Sequence, residues 1–141
     1  MNLKLVTNDE ELEDAYHVRK VVFVDEQKVP VEEEIDHLES ESKHFVLYDN
    51  EEPIGAGRFR TVDEYGKVER ICVLKEKRNS GAGNIIMKGI EQFAKSAGVK
   101  KLKLNAQTQA IPFYEKLGYE VVSEEFLDAG IPHKTMVKKI E

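Results

Sequence analysis

With 141 residues the chain is long enough for one domain with its own core and short for two; no repeat, low-complexity tract or composition shift divides it, so residues 1–141 read as one domain. Hydrophobic residues make up 40% and charged residues 34%, and the net charge of −6 disfavours a nucleic-acid partner, because phosphate neutralisation needs a basic face. The single cysteine, Cys72, excludes an internal disulfide and a cysteine-based metal site, and no apolar run approaches a membrane span.

Met1 to Leu5 lacks a signal-peptide pattern, which points to a cytoplasmic protein, and Leu3 and Leu5 predict a short strand. Asn8 and Glu11 have the spacing of a capping box, and Leu12, Ala15, Arg19, Val22 and Phe23 follow at helical spacing until Pro30 ends the region. Gln27 to Lys43 is an acidic loop with room for one short helix. His44 to Tyr48 and Ile54 to Val62 are strands joined by the turn Asp49 to Pro53, and Tyr65-Gly66 turns the chain into a further strand, Val68 to Leu74. A long helix spans Asn84 to Ala97, with Ile85, Ile86, Ile90, Phe93, Ala94 and Ala97 on its buried face and Gly98 ending it in a left-handed conformation. Val99 to Leu104 is a half-buried strand, parallel to the previous one because a helix separates them. Ile111 to Leu117 is a short helix stopped by Gly118, and Tyr119 to Val122 and Thr135 to Ile140 close the chain as strands. This order describes a mixed α/β domain whose central sheet is mostly antiparallel, with one parallel βαβ pair.

Between the strand and the helix of that pair lies Arg78-Asn79-Ser80-Gly81-Ala82-Gly83. A strand entering a helix through glycines leaves backbone N–H groups pointing outward at the positive end of the helix dipole, a site for an anion such as phosphate. A side chain at Gly81 or Gly83 would hold that anion off the backbone, and Arg78 adds a bidentate cation. The same residues also fit an ordinary glycine-rich turn. They are neither a Walker loop, since no Gly-Lys-Ser/Thr follows, nor the three-glycine dinucleotide fingerprint.

The form Arg-x-x-Gly-x-Gly resembles the pyrophosphate loop of the GNAT family of N-acetyltransferases. Ala110 to Tyr119, containing Phe113-Tyr114 and Leu117-Gly118-Tyr119, resembles the family's second signature, Ala-x-x-Phe-Tyr-x-x-x-Gly-Phe/Tyr. Val22 to Pro30, Glu34-x-Asp36 and Gly130-Ile131-Pro132-His133-x-x-Met136 resemble the small bacterial subgroup described as YjcF-like or ElaA-like. The resemblance covers nearly the whole chain and implies acetyl-CoA as cosubstrate, no metal, a small-molecule amine acceptor and, as is common in the family, a homodimer. It implies a bulged strand at Ile71, Cys72 and Val73 that opens to take the pantetheine arm, pyrophosphate contacts from Arg78 through Gly83 with Asn84 in the first helical turn, and a cofactor contact from Gln107, where many members have Asn. Tyr114 would stand beside the thioester sulfur as general acid, and a backbone N–H near Val73 would meet the oxyanion.

The general base has two candidates. Glu69 shares strand parity with Ile71 and Val73, which would face it into the cleft; the alternative is an ion pair with Arg70 or Lys67. His133 is of a residue type that titrates near neutral pH, and the turn Gly130-Ile131-Pro132 would aim it at the acceptor; the alternative is a histidine bonded to a backbone carbonyl. A water chain is a third route. Tyr114 also fits a core aromatic, and Cys72 fits a small core hydrophobe better than a nucleophile. Arg19 would pair with Glu34 or Asp36 and tie the acidic loop down, or help to form the acceptor pocket. The acidic cluster Glu32 to Glu41 is a solvated face, or else it attracts a cationic acceptor. Two competing readings are a non-catalytic CoA-binding module and transfer of a longer acyl chain, from CoA or from an acyl-carrier protein.

Overall fold

A computed structural model describes residues 1–141. Strands β1 (Asn2–Leu5), β2 (Lys43–Asp49), β3 (Glu52–Val62) and β4 (Tyr65–Val73) form an antiparallel meander. β5 (Lys101–Gln107) joins β4 in parallel; the remaining strands are β6 (Glu120–Val121), β7 (Phe126–Asp128) and β8 (Ile131–Lys139). The sheet order is β1-β2-β3-β4-β5-β8-β6, with β7 also paired to β8, and β4–β5 is the one parallel pair. The helices are α1 (Asp9–Arg19), α2 (Val31–Glu34), α3 (Ala82–Ser96) and α4 (Ile111–Lys116). The fold is the mixed α/β type that the pattern implied.

Alternate strand residues face opposite sides, so the sheet carries two cores. Phe45, Leu47, Phe59 and Val68 pack with Ile86, Met87, Ile90 and Ala94 of α3. Val46, Ala56 and Cys72 pack with Ala15 and Val18 of α1 and with Val22. Ile86, Ile90, Leu102 and Met136 are fully buried, each stabilising the fold by about 1.5–3 kcal/mol.

β4 contains an extra residue. Arg58 opposes Glu69 and Ala56 opposes Cys72, so a two-residue step on β3 meets a three-residue step on β4. Arg70, inside that step, has φ +58°. Val68 and Cys72 are four positions apart and in a regular strand would share a face; the bulge sends them to opposite cores. Pairing with β5 stops at Val68↔Leu104, just before the bulge, and the far halves of the two strands are left unpaired with each other.

Several elements depart from expectation. α1 ends at Arg19, and the chain continues through Lys20–Glu26 as a π-helical turn, with Gln27 N–H bonded to the Val22 carbonyl. The β-branched run Val21, Val22 and Val24 crowds a regular α-turn there. On α3, Ile85 and Ala97 are exposed and Met87 is buried, since the contact stripe runs Ala82, Ile86, Ile90, Ala94. β8 begins at Ile131 rather than Thr135, because Ala129 and Gly130, both with positive φ, make a two-residue hairpin that recruits β7. Gly98 and Gly118 do end their helices with positive φ.

Gly66 in β4 lies against Phe59, whose ring would stand 2.4 Å from an added Cβ, with Leu102 at 3.0 Å. Gly66→Ala is therefore expected to lower unfolding stability by about 1–3 kcal/mol in urea titration. A loss below about 0.5 kcal/mol would mean that Phe59 yields freely and that the contact is not tight.

Candidate active site

Where β4 and β5 part, a cavity of about 580 Å³ opens between them. Ile71, Cys72 and Val73 line it from β4, Gln107 from the end of β5, Tyr114 from α4, Glu69 from β4 ahead of the bulge and His133 from β8. Arg78, Asn79 and Gly83 close the end nearest α3, while Ser80, Gly81, Ala82 and Asn84 complete the loop and first helical turn behind them.

The glycine loop is built as a helix start. Asn79 and Gly81 have φ +62° and +86°, and Gly81 is the N-cap of α3. The first intrahelical bond is from Ile85 N–H to the Gly81 carbonyl, which leaves the N–H groups of Ala82, Gly83 and Asn84 without helical acceptors. Gly81 is glycine for its backbone angle. Gly83 is glycine for a different reason from the one expected: an added Cβ would meet the Phe113 ring at 3.0 Å, so its side-chain direction faces α4 and not an anion. Arg78 is already engaged, with its guanidinium on both carboxylate oxygens of Glu26 and its Nε donating to the Val73 carbonyl.

Tyr114 is buried, edge-on to Phe113 and to Tyr119, and it lines the cavity. Burial pushes its phenol well above the usual value, so it stays protonated and holds a proton to donate. Cys72, in the same cavity wall, is buried, and desolvation pushes its thiol up to about 12. A thiol so far from ionisation is no nucleophile.

The bulge breaks the parity that put Glu69 beside Ile71. Ile71 points to α3, where its Cδ1 would meet a Cβ on Gly57 at 2.8 Å. Glu69 points to the other face, accepting from Arg58 Nη2 at 3.0 Å and from Arg60 Nε at 2.8 Å, with Lys67 Nζ at 3.7 Å. Burial opposes its ionisation, but the Arg60 hydrogen bonds and the charges of Arg58, Arg60 and Lys67 outweigh it and hold its carboxyl below the usual range. That makes it a weak base. His133 lies in β8, opposite Gln107 and stacked on Phe126. Its Nδ1 lies 2.6 Å from the Ile131 carbonyl. A carbonyl only accepts, so Nδ1 carries a proton and Nε2 is the nitrogen that holds the lone pair in the neutral tautomer.

Beside Glu69 lies a buried charge network that sequence reading only partly found. Arg19 donates to Glu34 and, through Nη1 and Nη2, to Glu39; Arg58 donates to Asp36, Glu39 and Glu69; Arg70 binds the Glu33 and Glu34 carbonyls and Asp36. Arg19 thus ties the acidic loop down, through Glu34 and Glu39 rather than Asp36. Arg58, Arg60 and Glu39 were missed; a lone charge in the otherwise small and apolar run Ile54 to Phe59 was the available signal for Arg58.

Comparison with known proteins places this geometry. A family model described as an acetyltransferase (GNAT) domain matches residues 7–140. YjcF of Bacillus subtilis strain 168, named an uncharacterised N-acetyltransferase, is 60% identical over 139 residues, 98% of this chain and 99% of that protein. A candidate acetyltransferase of the same strain is 44% identical over 142 residues, 99% and 97% of the two chains. Among solved structures, a candidate N-acetyltransferase from Lactobacillus plantarum aligns with a TM-score of 0.92 at 25% identity, over 99% of this chain and 98% of that one. Escherichia coli ElaA aligns at 0.83 and 22% identity, over 98% and 99%, which shows the fold alone. The protein is an acetyl-CoA-dependent acetyltransferase by class. The chain belongs to the GNAT family.

The charge network makes a pH prediction. For Asp36 and Glu39, as for Glu69, burial raises the carboxyl pKa but arginine hydrogen bonds and charge outweigh it, so the folded values lie below the unfolded ones. Their stabilisation is full above the ordinary carboxylate range, near pH 4, and is lost as pH falls through the lower folded values. The thermal midpoint is expected to fall steeply from about pH 5 to pH 3, and less steeply in Glu39→Gln. Equal slopes in the two proteins would remove Glu39 from the account.

Proposed function

We propose that this protein transfers the acetyl group of acetyl-CoA directly to a primary amine of a small cationic acceptor. The observation that carries the reading is the parting of β4 and β5 at the Arg70 bulge, with the glycine loop at one end of the opening and Tyr114 and His133 on its walls. An extended pantetheine chain would bond to the unpaired edge of β4 as an added strand. Pyrophosphate would sit on the N–H groups of Ala82 to Asn84, at the positive end of α3.

In this reading the acceptor ammonium gives a proton to His133 Nε2 and the free amine attacks the thioester carbonyl. The new C–N bond forms, the C–S bond breaks, Tyr114 supplies the proton that makes the departing thiolate a thiol, and the second proton shed by the acylated nitrogen restores the Tyr114 phenol while His133 passes the first to solvent. Glu69 serves the charge network and not the proton transfer. Glu34, Asp36 and Glu39 are neutralised by arginines, so the acids left to favour a cationic acceptor are Glu33 and Asp128, which line the cavity without an ion-pair partner.

Calorimetry with acetyl-CoA, followed by thiol release across an amine panel, tests the whole reading. Tyr114→Phe is expected to lower kcat by about 10²–10⁴-fold with the acetyl-CoA Kd within about threefold of wild type. His133→Gln is expected to lower kcat/KM comparably. Binding with no turnover of any amine would leave a CoA-binding module, and no binding by folded protein would sink the donor assignment.

A further inference from the structure

The guanidinium that a pyrophosphate would need is not free. Arg78 Nη1 donates to Glu26 Oε2 at 2.7 Å and Nη2 donates to Glu26 Oε1 at 2.6 Å, a bidentate pair between groups 52 residues apart. The next residue reaches the opposite wall, where Gln27 Oε1 accepts from Gln107 Nε2 at 2.8 Å. Glu26 ends the π-helical turn that leaves α1. Two adjacent side chains thus bridge the opening, one to the loop after β4 and one to the end of β5. Neither bond has a task in the transfer chemistry.

We propose that Glu26 and Gln27 form an internal strap across the donor cleft, and that Glu26 sets the affinity for acetyl-CoA by occupying Arg78 as a phosphate would. The inference rests on the acetyl-CoA reading above. A carboxylate and a phosphate use the same two-pronged edge of a guanidinium. With the Nη edge on Glu26 and Nε on the Val73 carbonyl, an incoming pyrophosphate meets a negative charge at contact distance from its cation. The Arg78 hydrogen bond holds the Glu26 carboxyl below its usual range, so the competing charge is present at neutral pH. Both side chains are about one-third exposed, at 36% and 35%, and an exposed ion pair is easily exchanged for another. Entry of the donor then swaps one anion on Arg78 for another. Release of Gln27 returns the Gln107 amide to the cavity, where an extended chain lying along β4 can use it.

Calorimetry with CoA on wild type, Glu26→Gln and Gln27→Ala reads this directly, with thermal unfolding to confirm that each variant is folded. Glu26→Gln is expected to bind CoA about three- to tenfold more tightly than wild type, the gain shrinking as salt rises. Gln27→Ala is expected to gain less, about twofold. Hydrogen exchange on wild type supplies the second measurement: amides of residues 24–28 are expected to lose protection when CoA saturates the protein. Unchanged or weaker binding by Glu26→Gln, or unchanged or greater protection of residues 24–28, would overturn the strap and make Glu26 a residue that holds Arg78 ready. Absence of CoA binding in wild type and in Glu26→Gln alike would instead overturn the donor assignment on which the inference stands.

Discussion

One extra residue in β4 organises this molecule. Arg70 holds a left-handed backbone angle that costs a non-glycine residue on the order of 1 kcal/mol or more, and its side chain is tied to the Glu33 and Glu34 carbonyls. The bulge ends the parallel pairing with β5, which opens the cavity. It also exchanges the faces of the residues around it, so Cys72 enters the α1 core, while Glu69 meets Arg58 across the strand pair. Were β4 regular, it would continue its hydrogen bonds with β5 and no strand edge would be available to a ligand.

The two walls of the opening are held by different physics. The wall on the α3 side is apolar: α3 seats through Ile86, Ile90 and Ala94, and Gly83 lets Phe113 of α4 close on it. The wall on the α1 side is ionic. Arg19 and Arg58, each 1% exposed, pull Glu34, Asp36 and Glu39 onto the sheet. Buried ion pairs contribute little net stability, because desolvation offsets most of the attraction, but removing one partner leaves a charge stranded. The network therefore fixes where residues 31–41 lie more than it strengthens the fold. Arg58 Nε and His44 Nδ1 remain unpartnered inside it, so even this arrangement is not fully satisfied.

Much of the fold was legible because it is written in local pattern. The meander, the crossover helix, and the stops at Gly98 and Gly118 follow from periodicity and from glycine's tolerance of positive φ. The glycine loop and the Phe113-Tyr114 signature were legible as motifs. The bulge position was legible only through family resemblance, and its effect on parity was not read through to Glu69: alternation counted along the chain put Glu69 with Ile71, and one inserted residue reversed that. β7 was hidden because Ala129-Gly130 is a weak hairpin signal beside Asn-Gly. The pairing of Glu26 with Arg78, and of Arg58 with Asp36 and Glu39, joins segments far apart in sequence, and nothing in either segment alone announces the other.

The buried thiol of Cys72 bears on redox tolerance. The proposed reaction releases CoA as a free thiol into the cavity that Cys72 lines. Two thiols in one confined space are set to form a mixed disulfide once either is oxidised, and that exchange proceeds through the thiolate. With its pKa pushed up to about 12, Cys72 is almost entirely protonated at neutral pH and attacks an oxidised CoA extremely slowly. The desolvation that makes this residue a good core hydrophobe thereby also leaves it little thiolate with which to attack an oxidised form of the CoA released in the proposed reaction.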